Sequence, residues 1–185
     1  GNYGGTDAFK QMSLLALKAR GPDLRAGLRR GMSLADDAEE IHILCKAMLK
    51  AREVEGRALI AQALIYAGTH QPAIAGEAFG KLLEDKDDGI RILALRGIEA
   101  TAHESTLQSI IELLDHDEFF VRCDAARALS SFSSIPRAHA QRIADMSADP
   151  DPLIRLSATM ALRPLDQDVS IPALRKRLKD NDWVV

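Results

Sequence analysis

The side chains that most often carry out chemistry are present in this sequence, but not in the spacings that catalysis or metal binding needs. Imidazole and carboxylate groups together bind transition metals, and the sequence has one adjacent His-Glu pair, His103-Glu104. Cys45 and Cys123 have no Cys-x-x-Cys spacing and are expected to be reduced thiols. There is no Ser/His/Asp or Cys/His constellation and no glycine-rich phosphate loop. The sequence therefore predicts no catalytic residue, no metal ligand and no cofactor site.

The composition favours a folded helical protein. Apolar residues make up 46% of the 185 positions and aromatic residues only 4%, so alanine and leucine dominate the apolar set. Close-packed helices suit such a set better than sheets, which draw on β-branched and aromatic residues. The net charge of −3 argues against a general nucleic-acid binder, which needs a concentrated positive surface. No apolar run approaches ~20 residues and no signal peptide is visible, so we expect a cytoplasmic protein without a membrane span.

One repeated pattern predicts the elements that must position any binding residues. Acidic residues lead into an aliphatic-Arg pair, and a small-aliphatic pair follows further along the same helix. Arg91, Arg122 and Arg155 mark the three clear copies, with steps of 31 and then 33 residues, and Arg57 lies 34 residues before Arg91. A fixed period in this range is typical of stacked helical repeats. We therefore predict an all-α fold, an α-solenoid or superhelix of stacked antiparallel helix pairs.

Each repeat is predicted to contain a helix A followed by a helix B. The predicted A helices are Asp36 to Ala51, Pro72 to Glu84, Glu104 to Leu114, Pro136 to Ser147 and Pro172 to Lys179. Ser134 and Ser170 are expected to cap two of them, because the prolines that follow fit the first turn of a helix. Asp117 and Asp151 are expected to be N-caps of B helices. The residues Val121, Ala125, Ala128 and Leu129 recur at helical spacing and predict one buried stripe along helix B.

The two ends of the sequence depart from the pattern. Residues 1–35 are expected to form degenerate or capping helices, from Phe9 to Arg20 and from Asp23 to Arg30, since terminal repeats are usually atypical. Residues 36–185 are then the repeat array. Asp180 to Val185 looks like the opening of one more helix B, so the last repeat is expected to be truncated and the chain to be part of a longer protein.

The acidic turn, the aliphatic-Arg pair and the small residues after it resemble the short bacterial HEAT-like repeats of the kind also found in phycobilisome lyases. The resemblance covers roughly residues 54–185 and is strongest over 85–165. It implies that turn aspartates and helix B arginines bond between neighbouring repeats, here Asp85 or Asp87 with Arg122, and Asp117 with Arg155. The structural ladder implied by this resemblance comprises Asp85, Asp87, Arg91, Asp117, Arg122, Asp151 and Arg155.

The resemblance also brings three enzymatic alternatives. Deoxyhypusine hydroxylases need several His-Glu pairs at repeating positions, whereas His103-Glu104 stands alone here. Bilin lyases need a tetrapyrrole pocket, and two Tyr and one Trp are few aromatic residues to line one. DNA glycosylases of this fold need a basic channel with aromatic residues around a flipped base, and the net charge and the scarcity of aromatics both disfavour it. A lyase-like or nucleic-acid function is therefore kept as the alternative to a binding function.

The favoured function is a non-catalytic protein-protein interaction scaffold that binds its partner on the helix B surface. Outward positions should lie two, five and nine residues after each repeat arginine, off the buried stripe, and the first two of these supply the candidates. The candidate partner-binding residues chosen in this way are Leu93, Arg96, Asp124, Arg127, Ser157 and Met160. Arg96 and Arg127 are expected to lie side by side in a mixed apolar and basic groove suited to an acidic peptide or helix.

A second row of apolar residues lies at the N-terminal ends of the B helices. It comprises Phe119, Phe120, Leu153, Trp183 and Val184. Packing between repeats is the preferred explanation for this row. Trp183 could instead be exposed where a further repeat is missing, and such an end could self-associate.

Overall fold

The computed structural model describes residues 3–182, with side chains from residue 5, and these residues form eleven α-helices and no strand. They divide into two compact units, residues 1–105 and 106–185. The predicted boundary at residue 35 falls inside the first unit. None of the described helices is long and apolar enough to cross a membrane.

Unit 1 is built from three helix pairs. Its helices are α1 (Tyr3–Ala16), α2 (Pro22–Met32), α3 (Ala38–Lys50), α4 (Val54–Ala67), α5 (Pro72–Leu82) and α6 (Asp88–Thr101). The A helices α1, α3 and α5 pack in sequence order in one layer, and the B helices α2, α4 and α6 pack in the same order in the other. Each A helix also packs on the B helix that follows it, as expected for helices joined by short turns.

The core of unit 1 lies between these two layers. Its fully buried side chains include Met32, Ile41, Leu44, Met48, Ile60, Leu64, Phe79, Ile90, Leu95 and Ile98. One glycine matters for this packing, because a Cβ at Gly97 would lie 2.4 Å from three carbons of the Phe79 ring. Helices α5 and α6 therefore approach more closely than any side chain at position 97 would permit.

Unit 2 repeats the arrangement with two pairs and one further helix. Its helices are α7 (Leu107–Leu113), α8 (Phe119–Leu129), α9 (Arg137–Met146), α10 (Pro152–Ala161) and α11 (Gln167–Arg177). The B helices α8 and α10 pack against each other, and the A helix α9 packs on α10 and α11. Val121, Ala125, Ala128 and Leu129 have no exposed surface, so the buried stripe predicted on helix B is confirmed.

Helix α1 begins at Tyr3 and ends at Ala16, so the predicted bounds Phe9 to Arg20 are wrong, and a 3-10 turn (Glu104–Thr106) precedes α7. The other helix starts follow the sequence pattern with three exceptions. Asp151 caps α10 as predicted, accepting a hydrogen bond from the backbone N–H of Leu153 at 2.8 Å. The N-cap of α8 is Glu118 rather than Asp117. Pro136 is itself the N-cap of α9, so Ser134 does not cap that helix.

The third exception is α11, which begins at Gln167 and carries Pro172 in its interior. The predicted start at Pro172 is therefore wrong, and Ser170 is a buried helical residue rather than a cap. The early start has a local basis, because Asp166 lies at the N-cap position and Asp168 in the first turn, where acidic groups suit the helix dipole. Arg137 of α9 forms ion pairs with both aspartates, but these side chains are well exposed and such pairs contribute little.

Candidate functional site

A groove runs across the B helices of unit 1, with a volume of about 600 Å³. It is lined by Ala26, Arg29 and Arg30 of α2 and its C-cap Ser33, by Gln62, Ile65 and Tyr66 of α4, and by Leu93 and Arg96 of α6. Along each helix these residues recur three or four positions apart, with Arg29-Arg30 and Ile65-Tyr66 adjacent, so each helix contributes one continuous stripe. The groove is thus built on regular helices packed side by side, which hold its lining residues in fixed relative positions.

The groove is positively charged. Three of its nine described lining residues are arginines, and none is an aspartate or a glutamate. The Arg29 guanidinium donates a hydrogen bond from Nη1 to Oε1 of Gln62 at 3.4 Å, which joins α2 to α4. A guanidinium has five N–H donors, so this bond leaves Arg29 with donors for a bound anion.

Apolar surface lies between these charges. Leu93 is 9% exposed and forms part of the floor, and Tyr66 is 69% exposed beside it on the neighbouring helix. Tyrosine combines a broad apolar face with a hydroxyl that forms hydrogen bonds, and it is enriched at protein interfaces for that reason. The groove therefore combines guanidinium donors with an aromatic and aliphatic centre.

Only two of the candidate residues chosen from the sequence line this groove, Leu93 and Arg96. Leu93 is buried, which corrects its expected outward position. The sequence reasoning missed the contributions of α2 and α4, although the rule it used would have found part of them. Positions five and nine residues after Arg57 are Gln62 and Tyr66, and both line the groove.

The candidate residues of unit 2 have a different environment. Asp124 is 5% exposed and forms an ion pair with Arg127 one turn later on α8. Its expected outward position is therefore wrong, because Asp124 lies on the buried side of the helix. On α10, Ser157 is half-buried and Met160 is 42% exposed. The expected side-by-side arrangement of Arg96 and Arg127 concerns two different units and stays a prediction.

The repeat arginine Arg57 is a structural residue. Its Nη1 donates hydrogen bonds to the carbonyl oxygens of Ala51 at 2.8 Å and Arg52 at 2.9 Å, in the turn before α4. Its Nε forms an ion pair at 3.0 Å with Oδ2 of Asp85, in the turn before α6. The side chains of Arg57 and Asp85 are only 9% and 12% exposed. Arg57 thus fastens its own turn and joins it to the turn of the following repeat.

Arg155 has the same set of partners in unit 2. Its Nη1 donates to the carbonyl oxygens of Asp149 at 3.1 Å and Pro150 at 2.9 Å, and its Nε and Nη2 donate to the Asp180 carboxylate, each at 2.9 Å. These hydrogen bonds from Arg155 lower the pKa of the Asp180 carboxyl. Arg177 adds a third ion-pair contact to the same carboxylate at 2.8 Å.

These contacts correct the expected direction of the ladder. The predicted pairing of Asp117 with Arg155 is replaced by pairing of Arg155 with Asp180, since Arg57 and Arg155 each reach forward to the next turn rather than back to the previous one. Asp117 instead accepts a hydrogen bond at its backbone carbonyl from Arg122. The predicted pairing of Asp85 or Asp87 with Arg122 joins the two units and stays a prediction.

The remaining ladder residues have local partners. Asp87 caps α6 by accepting a hydrogen bond from the N–H of Ile90, and Arg91 pairs with Asp88 of its own helix. The turn carboxylates Asp85, Asp149 and Asp180 each accept a hydrogen bond from the N–H two residues later, at 3.0, 2.8 and 3.0 Å. In the fourth repeat His116 takes this place, and its Nδ1 accepts the bond from Glu118 at 3.1 Å.

The described side chains do not assemble a metal or nucleophilic centre. Among residues 5–182, no group of three or more His, Cys, Asp or Glu side chains could hold a metal ion. Burial raises the pKa of the Cys45 thiol to about 12 and that of the half-buried Cys123 thiol to about 11. Both cysteines are free, and at neutral pH each is a neutral thiol with little nucleophilic character.

Two other surface features were considered as binding sites. A groove of about 330 Å³ between α3 and α5 has lysines at its rim, but it also contains Glu77, which pairs with Lys81 at 2.7 Å. The rings of Phe119 and Phe120 meet edge to face at 5.2 Å, with Phe120 55% exposed. Leu153 is 48% exposed, whereas Trp183 and Val184 lie outside the described residues.

The comparisons with known proteins agree with a helical repeat fold. A family model described as HEAT repeats matches residues 76–141. An engineered protein of known structure matches with a TM-score of 0.62 and 16% identity, over 97% of this chain and 84% of its own. A designed armadillo repeat protein in complex with the peptide (KR)4 matches with a TM-score of 0.63 and 16% identity, over 95% of this chain and 93% of its own.

No curated protein matches the sequence. At 16% identity the structural matches show the fold alone. Together with the family model they confirm the predicted resemblance to HEAT-like repeats and the all-α repeat fold. A scaffold of this kind is typical of protein-binding domains.

Proposed function

We propose that this protein is a non-catalytic interaction module that binds an acidic segment of a partner protein in the groove across α2, α4 and α6. The observation that carries this proposal is the lining of that groove, which has three arginines and no carboxylate among its described residues. A ligand that brings carboxylates would complement this charge. The exposed ring of Tyr66 and the floor at Leu93 would contact its apolar side chains.

The energetics of guanidinium-carboxylate contacts support this choice of ligand. The planar guanidinium can donate two parallel hydrogen bonds to one carboxylate, which makes the contact strong and directional. A hydrogen bond to a charged group contributes about 1.5–3 kcal/mol, so two engaged arginines are enough to bias binding toward an acidic peptide. A preformed helical surface also loses little conformational entropy when it binds.

A structurally similar protein binds a charged peptide, although the charge of that peptide is opposite to the one proposed here. The designed armadillo repeat protein is in complex with (KR)4, a basic peptide, and therefore illustrates that such a stack of helices can bind a charged segment. In the present chain the groove itself carries the positive charge. We therefore infer that it selects acidic rather than basic segments.

A binding titration with two labelled peptides tests this function. Fluorescence anisotropy should detect binding of octaglutamate to the protein at low salt and no comparable binding of (KR)4. Octaglutamate binding should weaken as salt is added, because exposed charges are screened. If (KR)4 binds as tightly as octaglutamate, or if neither binds, the proposed function is wrong.

Two double variants localise the binding. Arg30→Glu/Arg96→Glu reverses the charge at both ends of the groove and should weaken octaglutamate binding at least roughly tenfold per arginine. Lys46→Glu/Lys50→Glu changes the net charge equally but alters the groove between α3 and α5, and it should bind nearly as the parent does. An oligothymidine strand tests the nucleic-acid alternative, and tighter binding of that strand than of octaglutamate would favour it.

A further inference from the structure

The charges of the groove lie on the first and the third of three successive helices, and this sets a distance. Arg30 lies on α2 and Arg96 on α6, while α4 packs between these two helices and carries no charge into the groove. Packed helix axes lie about 8–10 Å apart, so two steps place the helices that carry Arg30 and Arg96 about 16–20 Å apart. A peptide that places one acidic side chain over each of these two helices bridges about this distance.

An extended peptide bridges it with a definite number of residues. A strand advances about 3.3 Å per residue, so five or six residues cover the distance. Successive side chains of a strand point to opposite faces, so two acidic side chains face the same groove only if they are an even number of residues apart. Six residues satisfy both conditions, whereas four are too short and five turn one carboxylate away.

The middle of such a peptide would lie over α4. Residues two and four positions after the first acidic residue point to the same face as the acidic pair. They would meet the exposed ring of Tyr66 and the side chains of Ile65 and Leu93, which are the apolar lining of the groove. Apolar side chains at these two positions therefore complete the match between peptide and groove.

We propose that the groove reads an extended segment of the form acidic–x–apolar–x–apolar–x–acidic, with the two acidic residues six positions apart. The proposal rests on the proposed function, because it specifies which acidic segments that groove selects. An α-helical ligand would need about 13 residues for the same span, since its rise is 1.5 Å per residue. The spacing therefore distinguishes an extended from a helical occupant.

A series of peptides tests the spacing. Each peptide has two glutamates and two leucines in a serine background, and only the separation of the glutamates varies, from four to eight residues. Binding is followed by chemical-shift titration of the ¹⁵N-labelled full chain, which measures weak affinities and reports whether the Gln62 and Tyr66 amides respond. The peptide with a separation of six should bind about tenfold more tightly than those with separations of five or seven.

Arg96→Gln supplies the control on the mechanism. With one charge removed from the groove, the affinity of the peptide with a separation of six should fall about tenfold. All peptides of the series should then bind with similar affinity. Arg29→Gln/Arg30→Gln, which removes both arginines at the α2 end of the groove, should have the same effect. Lys46→Gln, outside the groove, should leave the preference for six unchanged.

The possible outcomes separate this inference from the proposed function. If every acidic peptide shifts the groove amides with equal affinity, the six-residue rule is wrong although the acidic groove stands. If the optimum lies near 13 residues in a longer series, the occupant is helical and the extended reading is overturned. If no acidic peptide, octaglutamate included, shifts the groove amides, the proposed function itself fails.

Discussion

Arg57 carries a charge that is almost entirely removed from water. Its side chain is 9% exposed and is surrounded by two backbone carbonyls and the Asp85 carboxylate. Buried ion pairs of this kind add little net stability compared with apolar residues of the same size, but removing one partner leaves the other charge uncompensated. Replacing Arg57 alone should therefore measurably lower the free energy of unfolding.

We expect Arg57→Met to lower the free energy of unfolding by about 3–5 kcal/mol, because it leaves the Asp85 carboxylate and two carbonyl groups without their donor. Urea denaturation followed by circular dichroism measures the change. Lys81→Met is the matched control, since the Lys81–Glu77 pair is 59% and 66% exposed and should contribute little to stability. Equal effects of the two variants would contradict a special role for the repeat arginine.

Asp180 links the stability of unit 2 to pH. Its carboxylate accepts hydrogen bonds from Arg155, and these bonds lower its pKa in the folded state. The folded protein therefore binds a proton at Asp180 less readily than the unfolded chain does. The stabilisation is complete above the ordinary aspartate pKa of about 3.9 and is lost as pH falls through the lower folded-state pKa.

We expect Asp180→Asn to melt at a lower temperature than the parent at neutral pH, and the difference to shrink as the pH is lowered below about 4. Thermal melts between neutral pH and the acid limit of folding measure this difference. Asp7→Asn is the control, because the Asp7–Lys10 pair is well exposed. A difference in Tm that stays constant across the pH range would show that the Asp180 carboxylate charge is not responsible.

At the level of helices, the close packing of α5 on α6 depends on a glycine, Gly97. Gly97 permits the fully buried Phe79 ring to lie directly against the α6 backbone. Gly27 in α2 has the opposite environment, since a Cβ there would meet nothing within 4 Å. The two glycines therefore allow the same substitution to be compared in a packed and in an open position.

We expect Gly97→Ala to destabilise the protein by about 1–3 kcal/mol, because the added methyl group cannot fit without displacing Phe79. Gly27→Ala should stabilise it by about 0.5–1 kcal/mol, because alanine loses less backbone entropy in a helix and meets no neighbour. Chemical denaturation of both variants measures the two changes. Destabilisation of similar size at both positions would contradict the close α5–α6 packing.

The sequence predicted those features of the helices that depend on residues within the same helix. The buried stripe Val121, Ala125, Ala128 and Leu129 follows from helical spacing alone. The early start of α11 is missed when Pro172 is interpreted as a first-turn proline, although Asp166 and Asp168 upstream are themselves helix-start signals. Local patterns thus predict elements well and fail at a boundary where two start signals compete.

The candidate site was predictable only in part. The spacing rule found Leu93 and Arg96 on α6, and the same rule applied to Arg57 would have added Gln62 and Tyr66 on α4. The spacing rule could not have predicted that Leu93 is buried, because its burial depends on how far apart neighbouring helices lie. Asp124 likewise lies on the buried side of α8 although its side chain is charged, and an ion pair with Arg127 compensates that charge.

At the scale of the whole molecule, the candidate site and its supporting core lie within one unit. All nine lining residues of the groove belong to residues 1–105, and so do the three helix pairs that position them. In repeat proteins each repeat contacts only its neighbours, so stability is roughly a sum over repeats and the interfaces between them. Three stacked repeats are about the minimum that such a protein needs.

We therefore expect a fragment of residues 1–105 to fold on its own and to bind octaglutamate with the affinity of the full chain. Circular dichroism and anisotropy measure the two properties. A fragment of residues 106–185, which has two helix pairs and α11, should melt at a lower temperature because it contains fewer interfaces. If the first fragment is unfolded, the groove depends on contacts outside unit 1.

The forward reach of the repeat arginine bears on how such a chain can change its length over evolutionary time. Arg57 and Arg155 each join their own turn to an aspartate 28 or 25 residues later, so these two repeats use the same donor and the same acceptor. A genetic duplication or deletion of one complete repeat brings an equivalent arginine and aspartate together again at the new junction. An insertion or deletion of any other length separates them, so we expect related genes to differ by whole repeats.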